Sequence, residues 1–140
     1  MGKVNVRVKL INFYDIANFE SGFITSDKIR EYEGEGLVDT GATMLAIPKE
    51  VFDKLGIKYS NREVTTTYAN GKREKRKVAR GVIIEINGRE AEVECVVEEN
   101  YNKILIGQIP LEYMDIHVDC KSGKLVPNPL SPDMPLIDIL

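Results

Sequence analysis

Asn70-Gly71 and Asn87-Gly88 each interrupt runs of alternating apolar and polar residues. Asn-Gly between two such runs is the strongest short-range signal for a β-hairpin, because both residues accept the left-handed backbone that tight turns demand. The first pair joins a Thr- and Val-rich segment, residues 63–68, to residues 72–86. The second joins residues 82–86 to residues 91–97. Three consecutive antiparallel strands are therefore expected in the middle of the chain. Val4, Val6, Val8 and Leu10 alternate with Asn5, Arg7 and Lys9, which adds a half-buried strand earlier on.

The remaining elements are read around these. Residues 12–22 lose the alternation and are expected to form an irregular connection. Residues 23–32 alternate loosely and are expected to return as a strand. Glu33-Gly34-Glu35-Gly36 reads as an acidic turn; no third Gly follows at the spacing of a dinucleotide loop. Pro48 to Gly56 reads as a short helix, with Pro at its start and Gly at its exit. Residues 103–106 form a buried strand, and Pro110 to Met114 one or two helical turns. Residues 116–118 and 124–126 make a last hairpin around Lys121-Ser122-Gly123. The chain is thus mostly β with one or two short helices. Its 140 residues fit one domain, residues 1–126. Pro127, Pro129, Pro132 and Pro135 then exclude residues 127–140 from any central strand and mark an extended tail. Its end, residues 136–140, is apolar enough to pack on a partner subunit; a partly ordered terminus is the alternative.

Several function classes drop out. The net charge of −3 argues neither for nucleic acid nor for a strongly acidic function, and no nucleic-acid partner is expected. The basic run Lys72 to Lys77 reads as a solvated strand guarding a sheet edge. No apolar stretch approaches the roughly 20 residues of a transmembrane helix, and residues 1–4 do not begin a signal peptide, so no membrane partner and a cytoplasmic location are expected. Cys95 and Cys120 lack CxxC spacing and read as reduced thiols rather than metal ligands. His117 has no visible partner. No Ser-His-Asp, P-loop, HExxH or zinc spacing appears, and no cofactor or metal is expected.

The chemistry-bearing stretch is Leu37-Val38-Asp39-Thr40-Gly41-Ala42-Thr43. An apolar pair delivers one carboxylate into a tight turn, where it is a candidate general acid or base. A local Asx-type turn at a strand end is the bland alternative. The context adds weight: Met44-Leu45-Ala46-Ile47-Pro48 follows directly, and Ile104-Leu105-Ile106-Gly107 comes later.

On Asp39-Thr40-Gly41-Ala42 and Leu105-Ile106-Gly107, in this order and spacing, the chain resembles the retropepsin-like (retroviral-type) aspartic proteases, most closely their single-domain bacterial and archaeal relatives. The likeness runs from about Leu37 to Val126. It implies an acid-protease β-barrel half acting as a homodimer on a peptide or protein substrate, with Asp39 as the catalytic residue. Leu105-Ile106-Gly107 would cross behind the catalytic turn, Thr40 would bond across the two-fold axis, and Gly41, Ala42 and Thr43 would line the cleft. Tyr68, Ala69, Asn70 and Gly71 would form the tip of the flap that covers it. The flap departs from the retroviral pattern in having one Gly, and Thr43 stands where an acidic residue is common. A catalytically silent dimerisation or protein-binding module on the same fold is the competing reading.

Overall fold

The computed structural model describes residues 4–119 and 121–137. The expectations for residues 1–3, Cys120 and residues 138–140 lie outside the described residues.

Nine strands and three α-helices succeed one another along the described residues. They are β1 (Val4–Asn12), α1 (Phe13–Glu20), β2 (Glu31–Val38), β3 (Leu45–Pro48), α2 (Lys49–Leu55), β4 (Lys58–Thr67), β5 (Arg73–Ile86), β6 (Arg89–Glu98), β7 (Ile104–Ile106), α3 (Gln108–Met114), β8 (Ile116–Asp119) and β9 (Lys124–Pro127). The hydrogen-bonding order is β1-β2-β7-β3-β6-β5, and β5 pairs back onto β1, so six strands close a barrel. β5 is long enough, at 14 residues, to pair with β1 and β6 in its second half and with β4 in its first. The alternation of β1 sends Val4, Val8 and Leu10 inward. They meet Val38, Leu45, Ile47, Ile84, Ile86, Ile104 and Ile106 in one core, which α2 and α3 close with Leu55 and Met114. A smaller cluster of Ala46, Val78 and Val96 lies apart from this core, with the partly buried Met44, Val64 and Leu105 packed against it.

Both Asn-Gly hairpins form. Asn87 and Gly88 have φ of 50° and 84°, a two-residue turn between Ile86 and Arg89. At the other, only Gly71 has positive φ (84°). There Tyr68 N donates to the Lys72 carbonyl at 2.9 Å, closing a three-residue loop.

Three expectations are corrected. Residues 13–20 are a helix, not an irregular connection, so the described residues hold three short α-helices where one or two were expected. α1 is held by polar groups that hydrophobic periodicity does not register. The Asn12 side chain caps it by accepting from Asp15 N at 3.0 Å, while Asn12 Nδ2 donates to the Leu55 carbonyl at 2.8 Å. Residues 26–28 are a single 3-10 turn, and the strand begins only at Glu31. Glu33-Gly34-Glu35-Gly36 is no turn; it lies inside β2, paired to β1 from Val6↔Gly36 to Lys9↔Glu33.

The Asp15–Arg30 pair fastens α1 to the barrel. Arg30 donates to the buried carboxylate from its backbone N (2.9 Å), Nε (2.9 Å) and Nη2 (3.0 Å). The Arg30 side-chain hydrogen bonds, backed by its backbone N–H and its charge, hold Asp15 below the usual carboxylate range despite burial. A carboxyl depressed in the folded state stabilises above its ordinary pKa and stops doing so as pH falls through the folded one. Arg30→Ala strips the carboxylate of two charge-assisted bonds and is expected to cost about 2 kcal/mol at neutral pH. The loss should shrink in acid; urea unfolding at both pH values checks it.

A second clamp holds the segment after β9. Arg89, buried, donates to the carbonyls of Met114 (3.1 Å), Asp115 (2.9 Å) and Ser131. Asp115, left-handed at φ 57°, accepts from Asn128 Nδ2 (2.9 Å), Leu136 N (3.0 Å) and the Ser131 hydroxyl. Ser131, then the Leu136 N–H and Asn128, lower its pKa to about 2. The clamp is therefore complete above the ordinary 3.8 and is lost only between there and about 2. The protection of the Leu136 amide, its exchange referred to the intrinsic rate at each pH, should hold at pH 4 and fall as the pH approaches about 2.

Candidate active site

The Asp39 turn is built from two directions. β2 runs in from one side and ends at Val38, fully buried. β7 lies parallel to it, with Leu37↔Leu105 and Val38↔Ile106. The first residue beyond the ladder, Asp39, still donates its N–H to the Ile106 carbonyl at 3.0 Å. The chain then folds back: Ala42 N donates to the Asp39 carbonyl at 3.0 Å, and Gly41 N donates to Asp39 Oδ1 at 3.0 Å. One carboxylate oxygen is thus occupied by the turn itself, and the other oxygen of this half-buried side chain has no hydrogen-bond partner among the described residues.

α3 braces the turn from beneath. Its first amides have no partner within the helix. They are used here: Gln108 N donates to the Ala42 carbonyl (3.0 Å) and Ile109 N to the Thr43 carbonyl (2.9 Å). Gln108 Nε2 adds a bond to the Thr40 carbonyl at 3.1 Å. Between β7 and α3 sits Gly107, pressed against the turn. A Cβ there would stand 2.6 Å from the Met44 carbonyl oxygen, 2.6 Å from the Thr43 carbonyl carbon and 2.8 Å from the Ala42 carbonyl oxygen. All three are backbone atoms, so only glycine lets β7 pass this close.

Asp39, Thr40, Gly41, Ala42 and Thr43 are therefore brought together with Leu105, Ile106 and Gly107 into one unit. Thr40, Gly41 and Thr43 are exposed, and the Thr40 hydroxyl has no hydrogen-bond partner among the described residues. A surface cavity of about 460 Å³ opens beside Thr40, between Gln108, Glu112 and His117.

Tyr68, Ala69, Asn70 and Gly71 lie at the β4–β5 tip and make no hydrogen bond to the Asp39 turn among the described residues. Instead the Tyr68 hydroxyl donates to Glu98, at the end of β6. Sequence reasoning missed both Gln108 and Glu98. Gln108 carried one signal, its position directly after the apolar-apolar-Gly strand. Glu98 carried none.

Among the described residues no cluster of three or more His, Cys, Asp or Glu is arranged to hold a metal, and no helix is long and apolar enough to cross a membrane. Cys95 is buried, and that burial pushes its thiol up to about 12, so it is no nucleophile at neutral pH. Chemically the unit offers one half-buried carboxylate, held by backbone, with one oxygen unpaired among the described residues.

The sequence matches the family model described as gag-polyprotein putative aspartyl protease over residues 28–113, a span that contains the Asp39 turn, the β4–β5 hairpin and the β7–Gly107 crossing. No curated protein matches the chain.

Proposed function

Because the chain belongs to the gag-polyprotein aspartyl protease family, we propose that it is an aspartic endopeptidase whose active site is completed by a second copy of itself. The observation that carries this reading is the state of the Asp39 turn. It is braced by four backbone hydrogen bonds from β7, α3 and its own residues, yet it supplies a single carboxylate.

Peptide hydrolysis by carboxylates needs two of them. One takes a proton from the attacking water while the other, protonated, donates to the scissile carbonyl. A tetrahedral diol forms; the proton then passes to the amide nitrogen, and the C–N bond breaks. Two carboxylates roughly 3 Å apart cannot both ionise, so one proton is shared between them. Asp39 of each copy, meeting on a two-fold axis, would supply the pair, and the same patch would serve both chains. The exposed Thr40 hydroxyl is free to bond across that axis. Gly41, Ala42 and Thr43 border the cleft, and Tyr68 to Gly71 form the flap.

The floor formed by Met44, Val64 and Leu105 runs up to the turn and favours an apolar side chain beside the scissile bond. Cleavage of a diverse peptide pool from about pH 3 to about pH 8 tests the reading. Specific activity should rise with enzyme concentration until the dimer is saturated. A dimeric protein that cleaves nothing at any pH would instead mark a silent module with the same fold.

A further inference from the structure

Glu98 belongs to no part of the Asp39 turn, yet it is the most heavily engaged carboxylate on the face beneath the β4–β5 hairpin. Its side chain is only 13% exposed. The Tyr68 hydroxyl lies 2.8 and 3.0 Å from its two oxygens and donates to them. Arg76 Nε donates to the same carboxylate at 3.3 Å, while Arg76 Nη2 reaches Glu74. The Arg76 guanidinium lies 5.6 Å from the centre of the Tyr68 ring. Burial, with the Glu98 carboxylate acting in the same direction, raises the Tyr68 phenol, so it stays a donor throughout the working range of a carboxyl pair.

The strand periodicity explains why these groups meet. Side chains two apart share a face. Val78 and Arg76 share one face of β5, and Val78 pairs with Val96, whose neighbour on the same face of β6 is Glu98. Across β4, Val64 pairs with Arg76 and Thr66 with Glu74, which sets Tyr68 beyond them on that face. The face is the apolar floor of Met44, Val64, Val78, Val96 and Leu105. Tyr68 thus stands at the hairpin tip on the same face as the floor, and Glu98 is what fastens its hydroxyl there.

We propose that Glu98 is the residue that positions the flap, holding its tip over the floor through Tyr68 and Arg76 and so setting how tightly substrate is gripped. The geometry stands on its own; the effect on grip rests on the protease reading above. Glu98 touches no reacting atom, so its loss should weaken binding rather than chemistry.

The test compares wild type with Tyr68→Phe, Glu98→Leu, which removes the acceptor altogether, and the double variant. Amide exchange across residues 64–74 and the rate of tryptic nicking after Lys72 report the tip directly, without any need for activity. Each single variant is expected to accelerate both about fivefold, as for a partly exposed charge-assisted hydrogen bond. The double variant should do little more, because both changes break one contact. In the active enzyme KM should rise several-fold with kcat within about twofold. Unchanged exchange and nicking in both single variants overturn the latch. A loosened tip with KM unaltered overturns its role in substrate grip. Failure of wild type to cleave peptides at all would sink the protease reading, while the exchange comparison would still decide the latch.

Discussion

Asp39→Asn is expected to lower peptide cleavage by at least about a thousandfold, the range lost when a general acid–base pair is removed. The variant should remain folded and dimeric. The reason lies in which contacts the side chain makes. Asp39 Oδ1 accepts from Gly41 N at 3.0 Å, and an amide oxygen in the same place accepts equally well. None of the other bonds that brace the turn uses the Asp39 side chain: Asp39 N to Ile106, Ala42 N to Asp39, Gln108 N to Ala42 and Ile109 N to Thr43 are backbone to backbone, and Gln108 Nε2 donates to the Thr40 carbonyl. Asn keeps all of them and loses only the ability to take a proton from water. Initial rates on the peptide pool, read beside circular dichroism and dimer mass, check this. Cleavage surviving at more than a few per cent would refute the assignment of Asp39. Mixing sharpens the result. If subunits exchange freely and both must carry the carboxylate, an equal mixture of wild type and variant retains about a quarter of the specific activity, against half for independent sites.

Gly107→Ala should have the second largest effect, and on folding rather than chemistry. Its new methyl group would sit 2.6 Å from both the Met44 carbonyl oxygen and the Thr43 carbonyl carbon. A flexible side chain could swing aside; a backbone carbonyl tied into the turn cannot. Overpacking of this kind costs about 3 kcal/mol when the surroundings are rigid. For a chain of this size that is a fall in Tm of roughly 10 °C. Relief by displacing the turn would move Asp39 as well, so activity at low temperature should fall with stability. A thermal melt within about 2 °C of wild type would mean that β7 and the turn are less tightly apposed than described.

Much of this architecture was legible in the sequence because the signals were local. The alternation of Val4, Val6, Val8 and Leu10, the two Asn-Gly pairs, and the Pro48 to Gly56 helix each declare themselves within a dozen residues. The family expectation is met by the match over residues 28–113. What failed to show depended on distant partners. The acidic Gly repeat looks like a turn, yet Gly36 is there because Ile106 Cδ1 and Val8 Cγ1 would stand 2.9 and 3.3 Å from any Cβ. Gly34 likewise lies under the Tyr32 ring, whose Cε2 would be 2.9 Å from a Cβ. α1 buries only Asp15, so no apolar stripe announces it; its anchors are Asn12, Leu55 and Arg30. At the candidate site the turn and its crossing strand were readable as motifs. Gln108 and Glu98 were not, since a lone amide or carboxylate gains meaning only from what the fold lays beside it.

The crossing at Gly107 also fixes an order of events during synthesis. Asp39 leaves the ribosome well before the carbonyl and amides of residues 106, 108 and 109 that brace its turn from outside. Until those residues emerge, the turn has no backbone partners from β7 or α3, and closing so long a loop must precede any stabilisation from it. A nascent chain therefore carries its carboxylate in an unformed state until β7 and the start of α3 are made. On the protease reading, hydrolytic competence is thereby withheld from a growing polypeptide until residues 106–109 have emerged.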